Sequence, residues 1–252
     1  MAEHIVETMG VNVPAPDLSG PQVAASQSFM DRYAEERDKR LNVGVREYID
    51  PSKSEKYKHF LDDPWIEIGT PINRPVQDNG HIKVLVVGAG FGGLLFAARL
   101  MQAGFKAEDI LIVDPAGGFG GTWYWNRFPG LMCDTESYIY LPLLEETGYV
   151  PSRKYASGSE IRKYLESIAT KYDLHQRAQF QSKVRTATWN ESQWDATIAK
   201  MPKGGKESQI SITADYVFFA SGVLANAKLI KGVDAFDGPS FHVRIFEVGA
   251  GV

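Results

Sequence analysis

One cysteine in 252 residues, Cys133, leaves no partner for a disulfide within the chain and no set of thiolates for zinc. Such sparing use suits a reducing compartment, and the expectation is a cytoplasmic protein. Histidine is nearly as scarce. His4, His59, His81, His175 and His242 are scattered without ligand-like spacing, which predicts no metal site. Neither sign of charge dominates: 27 Lys and Arg against 31 Asp and Glu give a net charge of −4. With no long basic run, nucleic acid is not an expected partner. The acidic start, Met-Ala-Glu-His-Ile-Val-Glu, lacks the basic and apolar regions of a signal peptide. The longest uncharged apolar stretch, residues 84–98, is too short and too glycine-rich for a membrane span. Apolar residues (44%) are plentiful enough for one large or two small domains, and nine of the 24 glycines gather in two places.

The first gathering organises the chain. Residues 84–87, Val-Leu-Val-Val, read as a fully buried strand. They lead into Gly88-x-Gly90-x-x-Gly93, and a helical apolar pattern follows at Leu94, Leu95, Ala97, Ala98 and Leu100, closed by Gly104. In this setting Gly88 serves a tight turn, Gly90 the approach of a pyrophosphate, and Gly93 the close packing of helix on strand. The helix N-terminus offers free N–H groups and partial positive charge to phosphates. A second buried strand, residues 110–113, ends in Asp114, 21 residues beyond Gly93. A carboxylate there accepts from a ribose 2′-OH and disfavours a 2′-phosphate. The pattern predicts an adenine dinucleotide, FAD or NAD. A glycine-rich turn that binds nothing is the weaker alternative, because strand, helix and acid are all in register.

The second gathering, residues 115–130, reads Pro-Ala-Gly-Gly-Phe-Gly-Gly-Thr-Trp-Tyr-Trp-Asn-Arg-Phe-Pro-Gly. Its tryptophans are costly to leave in water. A packed structural loop is one reading; a functional loop whose aromatic faces border a flat ring is preferred. Asp134 and Glu136 stand too close in sequence to need to face each other, and on the residues alone Asp134 reads as a turn or helix cap. Upstream, residues 1–24 read as loose. A charged helix over 26–41 follows, with Glu35–Lys39 and Glu36–Arg40 as i,i+4 pairs. Residues 42–80 read as an arm packed on the main domain, turning at 78–80 into the first strand. Ser157 and Glu160 form a capping box opening a helix with Ile161, Tyr164, Leu165, Ile168, Ala169 and Tyr172 as its core stripe. Three half-buried strands follow, with cores at 180–187, 194–198 and 210–214, then a separate buried strand at 216–220.

Four segments taken together, residues 88–93, 120–130, 133–138 and 219–222, closely resemble Baeyer–Villiger monooxygenases. Within these class B flavoprotein monooxygenases the likeness is to fungal enzymes of terpenoid and polyketide pathways. Residues 32–40 and 60–65 echo their N-terminal extension, and the resemblance runs from about residue 29 to His242. It implies an α/β fold: an N-terminal extension (1–80), a Rossmann-type FAD-binding domain with a parallel sheet and an antiparallel β-meander insertion (81–235), and a tail (236–252). It implies FAD as cofactor, NADPH as reductant and insertion of oxygen beside a ketone carbonyl to give an ester or lactone. Carried over residue by residue, Gly88, Gly90 and Gly93 hold the FAD pyrophosphate, with Ala89, Phe91 and Gly92 in the same loop. Asp114 takes the adenosine ribose. Thr122, Trp123 and Asn126 line the flavin, with Gly121, Tyr124 and Trp125 beside them. Asp134 is the catalytic assignment, a carboxylate that positions an arginine. Met132, Cys133 and Asp134 border the nicotinamide, and Tyr140 and the Val184 backbone complete the FAD contacts.

The departures bear on function. The family's Phe-x-Gly-x-x-x-His-x-x-x-Trp stands here as Phe236, Gly238, His242 and Phe246. No second Gly-x-Gly-x-x-Gly follows in these residues, so the resemblance implies a chain truncated after its first half, without the NADPH-binding unit or the arginine. Three readings stand side by side. One is a Baeyer–Villiger enzyme acting on a ketone, terpenoid or polyketide, with reductant from a partner polypeptide or supplied as reduced flavin. Another is a flavin protein doing redox-neutral cyclisation or rearrangement. The last is a non-catalytic product: a truncated FAD-binding scaffold, or a chain that oligomerises through an exposed sheet edge.

Overall fold

The computed structural model describes residues 21–42, 48–224, 227–230, 232–238 and 242. Expectations for residues 1–20, for Phe246 and for the closing residues lie outside these. The chain divides into two compact units, Met1–Tyr48 and Ile49–Val252, so residues 49–80 belong with the main unit. In the first, α1 spans Pro21–Asn42. Lys39 Nζ lies 2.8 Å from Glu35 and 3.0 Å from Glu36. Arg40 instead donates from Nε to the Glu36 carbonyl at 3.2 Å, so an i,i+3 contact to Lys39 replaces the expected Glu36–Arg40 pair.

Strand β1, Tyr48–Ile49, stands at the division between the units. Beyond it come β2 (Gly80–Val87), α2 (Phe91–Gln102), β3 (Ile110–Val113) and the one-turn helices α3 (Thr122–Trp125), α4 (Ser137–Tyr140) and α5 (Leu144–Thr147). Next are α6 (Gly158–Lys171) and strands β4 (Ala178–Gln179), β5 (Ser182–Trp189), β6 (Trp194–Lys200), β7 (Ser208–Phe219) and β8 (Leu229–Ile230). Six of the strands form one sheet in the order β4-β3-β2-β7-β6-β5. The pairs β4–β3, β3–β2 and β2–β7 are parallel; β7–β6 and β6–β5 are antiparallel.

Strand β7 corrects one expectation. The third meander strand and the separate strand at 216–220 are a single twelve-residue strand. Only Asp215 separates their apolar cores, with no glycine or proline on which the chain could turn. The first half of β7 pairs with β6, from Lys200 opposite Ser208 to Trp194 opposite Ala214. The other edge pairs with β2, from Gly80 opposite Ile212 to Val87 opposite Phe219. One strand therefore joins the parallel sheet to the meander.

Both faces of the central strands are covered, which is why β2 and β3 read as continuous apolar runs. Val84, Val86, Ile110 and Ile112 pack under α2 and α6, against Leu94, Ala97, Ile161, Leu165 and Ile168. Leu85, Leu111 and Val113 meet Ala196, Ile198, Ile210, Ile212 and Ala214, so the meander closes over these strands. Helix α2 ends at Ala103, and Gly104 takes the left-handed conformation after it at φ +100°. At the start of α6 only half of the capping box forms. The Ser157 hydroxyl accepts from the Glu160 N–H at 3.3 Å. The Glu160 carboxylate turns away and accepts from the Tyr149 O–H and the Ser152 N–H, both at 2.8 Å. Burial, then the hydrogen bond and charge of Glu160, push the Tyr149 phenol up to about 12. No described helix is long and apolar enough to cross a membrane.

Two measurements check this packing. Leu85, fully buried between the two layers, should cost about 2–5 kcal/mol in denaturant unfolding when changed to alanine. The raised Tyr149 pKa stabilises the fold while the phenol is protonated, and that contribution is lost as pH rises from 10.0 towards about 12. Tyr149→Phe should therefore lose less stability than the parent over that window in a pH series of thermal melts.

Candidate functional site

The parallel strands β2, β3 and β7 end at one edge of the sheet, and both glycine loops leave from it. The Gly88 N–H donates to the Val113 carbonyl at 2.9 Å, and the Ala220 N–H donates to the Val87 carbonyl at 2.8 Å. Gly88 sits at φ +116°, where a Cβ would lie 2.4 Å from the Ala220 oxygen. A Cβ on Gly93 would lie 1.9 Å from the Gly88 oxygen. Turn and close packing are thus served as the spacing predicts. Gly90 is the N-cap of α2 and supplies no side-chain acceptor, so the first-turn N–H groups of a twelve-residue helix stand without a side-chain cap. Such donors suit an anion.

Gly90 also has a neighbour that spacing alone does not reveal. A Cβ on Gly121, at φ +54°, would lie 2.8 Å from the Gly90 Cα, and the Gly120 N–H donates to the Ala89 carbonyl at 3.0 Å. The two glycine loops pack backbone to backbone. Asp114, buried, ties them from behind: Oδ2 accepts from the Ala89 N–H at 2.7 Å and Oδ1 from the Ala116 N–H at 2.8 Å. The acid that the sequence assigns to a ribose therefore also braces both turns.

The aromatic triplet of the second loop is packed into the protein. Trp123, Tyr124 and Trp125 are 8%, 4% and 6% exposed. The Trp123 indole N–H donates to the Tyr140 hydroxyl at 2.8 Å, and the Tyr140 ring meets Phe91 edge-on at 5.6 Å. Burial raises the Tyr140 phenol, against the lowering effect of the Trp123 bond. Trp125 packs with Ala116, Tyr124 and Trp65. The Tyr124 hydroxyl donates to Asp63 Oδ2 at 2.8 Å, and burial together with that carboxylate drives its pKa upward. Much of the area of these rings is covered by protein. Between and beside these rings Thr122 is exposed and Asn126 half-buried, its Nδ2 donating to the Thr122 carbonyl at 2.8 Å.

Farther along, Met132 is exposed and its backbone bridges to Ser157, while Cys133 is buried. Asp134 is exposed and caps no helix: α4 begins after Glu136, which pairs with Lys154 at 2.9 Å. The helix-cap alternative for Asp134 falls. Val184 is half-buried two residues along β5 from Ser182, whose N–H donates to the Asp114 carbonyl at 3.0 Å. The structure thus gathers Gly88–Gly93, Asp114, Gly120–Asn126 and Tyr140, with the start of β5 alongside. Sequence reasoning missed Asp63, whose link to Tyr124 spans 61 positions and leaves no local pattern. Among the described residues no group of three or more His, Cys, Asp and Glu is placed to hold a metal.

Residues 86–148 match the family described as an NAD(P)-binding Rossmann-like domain. The chain is 45% identical over 234 residues to the FAD-binding monooxygenase prhK of Penicillium brasilianum, covering 88% of this chain and 36% of that protein. It is 41% identical over 233 residues to the polycyclic ketone monooxygenase of Thermothelomyces thermophilus, again covering 88% and 36%. A solved structure of polycyclic ketone monooxygenase from that thermophilic fungus superposes with a TM-score of 0.79 at 39% identity, covering 90% of this chain and 37% of the other. The chain therefore spans little more than a third of the length of the curated relatives it matches.

The contact between the loops is testable without any ligand. Gly130, at φ +79°, has open space around its missing Cβ, so Gly130→Ala should cost only backbone strain, about 1–2 kcal/mol. Gly121→Ala adds a clash with the Gly90 backbone and should unfold at clearly lower denaturant than Gly130→Ala.

Proposed function

We propose, for a chain homologous over most of its length to fungal FAD-binding monooxygenases, that it holds FAD across its two glycine loops and serves a Baeyer–Villiger-type oxygenation. The observation that carries this reading is the pairing of an uncapped α2 N-terminus with a second glycine loop pressed against Gly90. The α2 N-terminus offers its uncapped N–H groups to a pyrophosphate. The N–H groups from Gly90 to Gly93 receive the diphosphate, and Asp114 orients the ribose while bracing Ala89 and Ala116. Val184 lies alongside at the start of β5. Thr122 and Asn126 present their polar groups to the flavin, and Tyr140 holds Trp123 and Phe91 in place beneath. When bound, FAD supplies the redox chemistry that activates oxygen, with NADPH as its reductant. Asp134, exposed beside the buried Cys133, is a positioning carboxylate for a cation, and Met132 to Asp134 form the approach for a nicotinamide.

The FAD-binding domain in this reading comprises residues 81–235, in a cytoplasmic protein. The substrate is a ketone of polycyclic terpenoid or polyketide type, in keeping with a relative named for polycyclic ketones. A second reading has the reductant supplied by a partner polypeptide, or the chemistry redox-neutral.

The test is a spectrum. Purified protein should be yellow, or take up FAD in a calorimeter, and Asp114→Ala should weaken that uptake at least tenfold; a folded, colourless protein indifferent to FAD overturns the proposal. NADPH added under nitrogen then separates the two readings. Bleaching of the flavin band means hydride delivery within this chain, and an unchanged band favours the second.

A further inference from the structure

The segment 60–68 lies well before the first glycine loop in sequence, yet it grips the second. Asp63 is a carboxylate only 9% exposed. Oδ1 accepts from the Trp65 N–H at 2.9 Å, which fixes its own turn. Oδ2 accepts from the Gly117 N–H and the Tyr124 O–H, both at 2.8 Å. The segment also packs on bare backbone, since a Cβ on Gly117 would lie 2.0 Å from Ile66 Cγ2. Lys203, from the turn after β6, donates to the carbonyls of Asp63 and Ile66 at 2.8 Å each and holds the segment from outside. Arg127 closes the assembly, its guanidinium 4.2 Å from the Trp65 ring centre and 4.7 Å from that of Tyr124.

We propose that Asp63 is a positioning residue for the flavin half of the cofactor. This rests on the FAD reading above and assigns a part of that site to a segment outside the glycine motifs. Gly117, Gly118, Gly120 and Gly121 make the loop inherently loose, because glycine surrenders the most backbone freedom on ordering. The Asp63 bonds hold the loop near its start, at Gly117, and in its helix, at Tyr124, so Gly121, Thr122 and Asn126 are placed before any ligand arrives. Preorganisation of this kind lowers the cost of binding whatever touches the loop. The adenosine half falls to the start of α2 and to Asp114, which Asp63 does not touch in these bonds. The brace should therefore act on FAD and leave ADP alone.

Calorimetric titration of the full chain with FAD and with ADP tests this. Asp63→Asn should raise the Kd for FAD about tenfold and leave the Kd for ADP within about twofold of the parent. Tyr124→Phe, which removes one bond and keeps the ring, should move FAD in the same direction by less, and it decides the matter if Asp63→Asn does not fold. Equal weakening of FAD and ADP, or no change in FAD, overturns the inference while the function proposed above stands. A parent protein that binds no FAD at all overturns both.

Discussion

Where Gly121 meets Gly90 there is no room for a side chain, and the rest of the site follows from that. Two loops that touch through bare backbone have to leave the same edge of the sheet at the same height. The ends of β2 and β3 are level accordingly, Val87 opposite Val113. The same contact constrains α2, whose first turn is drawn so close to its own strand that Gly93 lies against the Gly88 carbonyl. A helix so placed presents uncapped N–H groups at the rim of the sheet. The loops thus set where those N–H groups stand, and the strands behind them are the reason the loops hold still.

That stillness is built from two layers. Helices α2 and α6 cover one face of the parallel strands and the folded-back meander covers the other. Strand β7 makes the second cover possible, because it pairs with β2 on one edge and β6 on the other without interruption. A meander hung on a separate strand would be free to lift away. One continuous strand carries it into the sheet, and the start of β5 is pinned where the Ser182 N–H reaches the Asp114 carbonyl.

Much of this was legible in the residues and some was not, for a physical reason. Strands β2 and β3, helix α2 with its Gly104 stop, and the buried stripe of α6 announce themselves through local period and caps. Interactions between distant polar groups leave no such trace. Glu160 had the spacing of a capping box, but a tyrosine and a serine eight to eleven residues upstream competed successfully for its carboxylate. Asp63 sits in an Asp-Asp-Pro turn that gives no sign of burial. The tryptophan-rich loop shows the same limit from the apolar side: composition says that these rings must be covered, not whether protein or ligand covers them. Here Trp65, Tyr140 and α6 do much of the covering.

The placement of the acids carries the electrostatic logic one step further. A site for a diphosphate cannot tolerate carboxylates in front of it, because like charges at short range in a partly dry cleft repel strongly. Yet glycine loops need strong acceptors to fix their backbones, and carboxylates are the strongest the chain has. The structure satisfies both acids with N–H groups of the loops themselves. Asp114 takes the N–H of Ala89, immediately before Gly90, and Asp63 takes the N–H of Gly117, four residues before Gly121. Each consumes backbone donors of its loop. The N–H groups that open α2, aligned with its dipole, are taken by neither acid. The negative charges thus strengthen the loops without occupying the N–H groups at the start of α2.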